Sequence, residues 1–295
     1  MIAVVAYGGM RALRPEEYGG TGLITGLRGD LDRVLLHFDF GEACMFIGCP
    51  QVHDMWVRGY AADLWLLGGG LLFGVVGGVS AGVWCVTRWR SPGARALESA
   101  AMLALCTPVY VVGLTLLLLF SPAFGVWHLP FFFDPHSYVS PLESPWGGLR
   151  SLLVPSLVVG APLAAVCLRL TIALTRDELA ENHIQTAIAK GVSHRRVIRR
   201  HAAPAAYASI ASLMSVTIPA VVTNLVLVEW VFAIPGFFRH TKRALAQATP
   251  PTIDVPTLQA LALWAALLIV VMSAVADIAL VKIDPRLRAS GRPPG

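Results

Sequence analysis

Residues 63–88 read Asp63-Leu-Trp-Leu-Leu-Gly-Gly-Gly-Leu-Leu-Phe-Gly-Val-Val-Gly-Gly-Val-Ser-Ala-Gly-Val-Trp-Cys-Val-Thr-Arg88, and the 24 residues between the two charges carry none. A bilayer core needs roughly 20 apolar residues per helix. In hydrocarbon every backbone amide must be satisfied within the segment, so the stretch predicts a membrane helix near 64–87. Four more uncharged intervals follow: 35 residues between Glu98 and Asp134, 18 between Arg150 and Arg169, 28 between Arg200 and Glu229, and 22 between Asp254 and Asp277. They predict spans near 97–120, 152–174, 204–228 and 256–281. The 35-residue interval is too long for one span. Its later part, 121–133, holds Pro122 and Pro130 and is expected to leave the membrane.

The composition agrees. Of 295 residues, 56% are hydrophobic and only 14% charged, with a mean hydropathy of +0.65. Soluble domains carry about a quarter charged residues. A soluble enzyme, a disordered chain and a collagen-like repeat are excluded. The net charge of +5 is read as topology, not as a nucleic-acid surface, because Lys and Arg gather in cytoplasmic loops. Segments 88–98, 175–203 and 282–295 hold 13 Lys/Arg in 54 residues, against 9 in 105 for segments 11–63, 121–150 and 234–255. The denser side is assigned to the cytoplasm, together with the C-terminus. Residues 1–10 are apolar but too short to span, and are read as an interfacial segment or as the remnant of a first helix. The expected organisation is a remnant and external segment over 1–63, a transmembrane domain over 64–288, and a tail over 289–295.

No Walker A sequence, HExxH, GxSxG or CxxC pair is present, so no catalytic constellation is assigned. Cys44, Cys49 and His53, beside Asp54, form an incomplete zinc pattern. An external Cys44–Cys49 disulfide or free thiols is the plainer reading, and no metal is assigned. Cys85, Cys106 and Cys167 fall in spans and read as small hydrophobes. His183, His194 and His201 read as surface residues.

The loop 175–203 is the most informative segment. Asp177 to Lys190 is a good helical sequence, acidic at its start and basic at its end. Gly191 suits a helix C-cap. Ser193 can cap a second helix starting at His194, and Pro204 marks the turn into the next span. Small residues Ala187, Ala189 and Gly191 allow close approach by another protein. In the span 204–228, Ser209, Ser212, Thr217, Thr223 and Asn224 occupy about 140° of helical arc at 3.6 residues per turn. Such a stripe either lines a path or ties helices together. Pro219 is expected to kink this span. Arg169, Asp277 and Glu229 lie near span ends. Arg169 can snorkel to the interface, and Asp277 calls for a partner on a neighbouring helix.

At these residues the chain resembles the permease subunits of ABC importers, in the branch that handles dipeptides, oligopeptides and nickel. The family's loop has a small-residue triplet, a glycine, and a proline thirteen residues on. Gln185-Thr186-Ala187, Gly191 and Pro204 fill those places. Glu229-Trp-Val-Phe-Ala-Ile-Pro235-Gly236, Asp254-Val-Pro256 with Gln259, Asp284-Pro-Arg286 and, more loosely, Phe38-Asp-Phe-Gly41 match further family motifs. Leu13-Arg-Pro-Glu16 stands where the family has a Pro-Gly segment, and Met1 is read as a possible internal start.

The resemblance implies an all-α, type I importer-like bundle with five complete transmembrane helices after an incomplete first one. It implies a multi-pass protein of the cell membrane that translocates short peptides. The partners implied are a paralogous permease, two cytoplasmic ATPases and an extracytoplasmic solute-binding protein. ATP would be bound by the partners, so the chain itself is expected to be no enzyme and to hold no cofactor. Gln185, Thr186, Ala187, Ala189, Lys190, Gly191, Arg195, Arg196 and Pro204 would couple to an ATPase. Ser209, Ser212, Thr217, Thr223 and Asn224 would line the path, and Glu229, Pro235, Gly236 and Asp254 belong to external motifs. Trp127, Trp146, Trp230 and Phe237 would meet the binding protein or sit in the interfacial aromatic belt. A nickel or other small-solute permease, a secondary transporter or channel, and a membrane scaffold are the alternatives.

Overall fold

The computed structural model describes residues 50–122, 125–127, 138–245 and 254–283. The expectations for residues 1–10, Leu13–Glu16, Phe38–Gly41, Cys44, Cys49 and Asp284–Arg286 lie outside these residues. The regular elements described are helices. In chain order they are α1 (Val52–Leu72), a π-helical turn (Phe73–Gly77), α2 (Gly78–Thr87), α3 (Pro92–Cys106), α4 (Val109–Phe120), α5 (Pro145–Leu179), α6 (Asn182–Ala189), α7 (His194–Val197), a second π-helical turn (Ile198–Ala202), α8 (Ala203–Phe232), α9 (His240–Leu245) and α10 (Val255–Ile283).

Val52–Thr87, Pro145–Leu179 and Pro256–Ala279 are each long and apolar enough to cross a membrane. Helices α3 and α4 pass that test together but meet at a 114° bend, and α8 carries a shorter apolar stretch, Val216–Phe232. The chain is therefore a helical, multi-pass membrane protein.

The sequence-based boundaries need three corrections. The helix predicted over 64–87 begins at Val52, twelve residues before Leu64, and runs through Asp63, which is buried rather than standing in water at a helix end. The span expected over 97–120 is not one straight helix. Thr107 and Pro108 take extended ψ angles of 127° and 137°. Proline offers no N–H to the preceding turn and pushes the residue before it out of the α region. The helix expected over 177–190 is split: α5 continues unbroken to Leu179, and α6 starts only at Asn182. Pro219, where a kink was expected, lies inside α8, which continues past it as helix.

The chain divides into two compact units. The larger comprises 65–232 and 269–295, the smaller 1–64 and 233–268. Ala233–Leu268 groups with the residues up to Leu64, although α1 runs unbroken past that point.

Within the larger unit, α5 is the central element. Glycines of the first long helix lie along it in order. A Cβ on Gly69 would meet Ser156, on Gly74 Leu163, on Gly78 Ala164 and Cys167, and on Gly82 Leu168 and Thr171. Gly160 of α5 returns the contact, its own Cβ position lying 3.0 Å from the Gly70 Cα. Both series ascend, so the two helices run parallel. Lipid tails are as apolar as leucine, so membrane helices associate through close packing, which glycine permits. At one end of this seam Cys85, Val86, Ala94, Ala101, Ala165, Leu168, Ile172 and Ile198 form a buried cluster that joins α2, α3, α5 and the second π turn. Ser91 caps α3 by accepting from the Ala94 N–H at 3.1 Å, and Ser144 caps α5 by accepting from the Gly147 N–H at 3.1 Å.

Candidate functional site

Three groups of residues were expected to carry function. The first is the turn after α6. Gly191 has φ +83°, its N–H donates to the Ile188 carbonyl at 2.9 Å, and the Val192 N–H donates to the Ala187 carbonyl at 3.3 Å. This pair of bonds and the left-handed residue define a Schellman cap. L-residues with a Cβ pay about 1–2 kcal/mol for that conformation, which is why glycine stands there. The Arg196 and Val197 N–H groups donate to the Ser193 backbone carbonyl, and helix α7 begins at His194. Ile184, Val197 and Ile198 are fully buried and hold the turn down. Its outer surface is open: Gln185, Thr186, Ala189, Lys190, Gly191, Arg195, Arg196, Arg199 and Arg200 are exposed, Ala187 partly so, and nothing lies within 4 Å of where a Gly191 Cβ would be. Gln185 donates to the Leu179 carbonyl at 2.8 Å and bridges the break between α5 and α6. Pro204 is the second residue of α8 and exposed, where its missing N–H costs nothing. His194 and His201 are exposed, and His183 lies 3.2 Å from Glu178.

The second group is on α8. Ser209, Ser212 and Thr223 fall on its exposed face, with Val216 (74% exposed), Pro219 and Ala220 among them. Thr217 and Asn224 flank this face and are half-buried. The Thr217 hydroxyl donates to the Leu213 carbonyl at 3.0 Å and the Thr223 hydroxyl to the Pro219 carbonyl at 3.0 Å. Such back-bonding lets a hydroxyl sit on a membrane helix without an outside partner. The stripe is thus a mixed small-residue face, not a continuous polar one.

The third group is in the smaller unit, apart from Glu229, which is fully buried near the end of α8 in the larger one. Ala233 follows α8 with φ 51°, a conformation uncommon for a residue with a Cβ. Pro235 is half-buried and Gly236 buried. A Cβ on Gly59 of α1 would lie 2.7 Å from the Gly236 carbonyl carbon, so the loop backbone rests directly on the helix. One turn on, Asp63 accepts from the Phe237 N–H at 2.9 Å and from the Trp264 Nε1–H at 2.7 Å. Asp254 caps α10: its carboxylate accepts from the Thr257 N–H at 3.3 Å and hydroxyl at 2.6 Å. Trp264 also packs edge-on to Trp56, which stacks on Tyr60. Burial, with Arg239 and Arg243 nearby, lowers the His240 imidazole to about 4.

Residues 74–289 match the family described as binding-protein-dependent transport system inner membrane component. The chain belongs to this family. Among relatives of the inner membrane component, a putative peptide transport system permease protein of Brucella abortus is 27% identical over 219 residues, covering 74% of this chain and 64% of its own. The chain thus spans less than two thirds of that relative. A dipeptide transport system permease protein of Haemophilus influenzae is 26% identical over 245 residues, covering 78% and 69%. An oligopeptide transport system permease protein of Mycobacterium tuberculosis is 29% identical over 244 residues, covering 79% and 72%.

In this inner membrane component the remaining expected residues are distributed as follows. Trp127, Trp146 and Trp230 are exposed, whereas Phe237 is fully buried and unavailable to a partner. Cys85 and Cys167 are buried and Cys106 exposed. Arg169 is exposed, its guanidinium 2.8 Å from the Met102 sulfur, and Asp277 is exposed. No group of three or more metal-ligating side chains occurs among the described residues. Two features escaped the sequence reading. The glycine seam was legible as the four-residue spacing of Gly70, Gly74, Gly78 and Gly82. The Asp63 contacts were not, because Phe237 and Trp264 are 174 and 201 residues away.

Proposed function

We propose that this chain is the transmembrane permease subunit of an ATP-driven importer of short peptides. Membership of the family carries the reading, and the names of the relatives favour peptides over nickel or other solutes. The Gly191 turn supports it. A buried apolar underside fixes the turn, while its upper surface is small, basic and open, as a coupling element seated in an ATPase groove would require.

The parallel packing of α1–α2 on α5 supports the topology. Two parallel spans need one return crossing between them, and the bent pair α3–α4 is the described segment able to supply it. On this reading α8 and α10 are crossings too, five in all, with the loop 175–203 and the C-terminus in the cytoplasm and residues 234–255 outside. The partners are a second permease, two ATPases and an external binding protein that presents the solute. Closure of the ATPases would rock the helices between outward and inward access. The chain itself hydrolyses nothing.

Two experiments test this. Purification from native membranes should retain two ATPases and a paralogous permease; ion-driven uptake by the chain alone would overturn the reading. In membranes with all partners, Gly191→Trp should abolish ATP-driven uptake, because it strains the turn and fills the space above it. Overpacking a fitted contact costs about 1–3 kcal/mol. Arg195→Ala should do far less, since one exposed ion pair is worth about 0–1 kcal/mol. Normal uptake by Gly191→Trp would show that this turn is not the coupling element.

A further inference from the structure

A single carboxylate joins three elements of the smaller unit. Asp63 is fully buried, and its two oxygens take hydrogen bonds from the loop after α8, at Phe237, and from α10, at Trp264. Gly59, one turn earlier on the same face of α1, lets the loop backbone reach it. The backbone of Phe237 is held at both its N–H and its carbonyl, because the carbonyl accepts from the His240 N–H at 3.2 Å. The Thr241 N–H and hydroxyl both donate to the Phe238 carbonyl, at 3.0 and 2.7 Å. Helix α9 therefore hangs from Phe237, which Asp63 secures, and from the next residue, Phe238. At its far end the Ala244 carbonyl accepts from the Asp254 N–H at 3.0 Å, and Asp254 caps α10, which leads back to Trp264. The circuit from Asp63 through α9 and α10 to Asp63 is closed.

What the circuit holds in place is basic. Lys242 and Arg243 are exposed on α9, beside Leu245 at 57%. Apolar packing alone is non-directional, whereas two bonds to one buried carboxylate fix both distance and rotation. Hydrogen bonds to charged groups are also the stronger ones.

We propose that Asp63 is a positioning residue: it clasps residues 233–245 to α10 so that exposed Lys242 and Arg243 of α9 meet an acidic surface on the external binding protein. The proposal rests on the importer reading above. The carboxylate touches no solute, and its effect passes through Phe237 and Trp264.

The test uses the complete transporter in lipid nanodiscs, with its binding protein titrated against ATPase activity. Amide hydrogen exchange is followed across 237–245 in parallel. Asp63→Asn should speed exchange there and raise the half-saturating concentration of binding protein about tenfold, the worth of one such bond, while basal and maximal rates persist. Trp264→Phe keeps the bond to Phe237 and should give a smaller shift of the same kind; it also decides the matter if Asp63→Asn fails to assemble. Lys242→Glu should raise half-saturation with exchange unchanged. Unchanged half-saturation in both clasp variants, or loss of maximal rate alone, would overturn the proposal. An unmodified complex that ignores the binding protein would count against the importer reading instead, and the exchange data would still judge the clasp.

Discussion

The glycine seam and the Asp63 clasp hold their helices in opposite ways. Along the seam, side chains are removed: Gly70, Gly74, Gly78 and Gly82 bring one helix backbone against α5, and the contact is a surface with no privileged atom. At the clasp, one side chain is kept: a buried carboxylate does the joining, through two oriented bonds. The seam tolerates no added volume, while the clasp tolerates no lost oxygen. The difference follows from surroundings. Between apolar helices in lipid only close contact and dispersion discriminate one arrangement from another. Where a loop leaves a helix, backbone amides need partners, and a carboxylate supplies them.

Adding volume to the seam should give the largest effect. Gly160→Leu places a side chain against the Gly70 backbone, which cannot swing aside. Strain from such insertion is typically about 1–3 kcal/mol, and here both helices must move. Loss of monodisperse protein in detergent, with a lowered melting temperature, is expected; unchanged melting would mean that the seam is loose. A smaller loss should follow Asp254→Ala, which removes the N-cap of α10 at a cost of about 0.5–2 kcal/mol, read by the same melt with the seam intact.

A pH series sharpens the comparison further. The His240 imidazole, brought down to about 4 by burial, binds its proton less readily in the fold than in the unfolded chain, whose ordinary value is about 6.5. The unfolded chain therefore binds more protons between these values, and stability falls as pH drops from about 6.5 to about 4. His240→Gln should flatten that part of the melting profile and leave its neutral value near normal. The smallest effect belongs to Arg176→Ala. Its guanidinium is 3.4 Å from Glu98 with both side chains substantially exposed, so the change should be about 0–1 kcal/mol.

Much of this was readable from the chain. Uncharged intervals marked the helices because charge is costly in lipid, and the Gly191 cap was legible because left-handed turns favour one residue. Reading charge as a boundary failed at Asp63, where partners far along the chain keep a carboxylate inside a helix. Pro108 was passed over within an apolar run, although its missing N–H breaks the helix there. The stripe on α8 was legible from Ser, Thr and Asn spacing, but the sequence did not show that the Thr217 and Thr223 hydroxyls bond carbonyls of their own helix.

The clasp also imposes an order on biogenesis. Asp63 leaves the ribosome 201 residues before Trp264. At about 5–20 residues per second the interval is ~10–40 s. Until Phe237 is made, 174 residues on, the carboxylate on α1 has neither donor, and until Trp264 it has only one of the two. The nascent helix must keep that group near water or lend it to a temporary partner until Trp264 of α10 is in place. A chain stopped between Phe237 and Trp264 would therefore hold a carboxylate with one of its two donors missing.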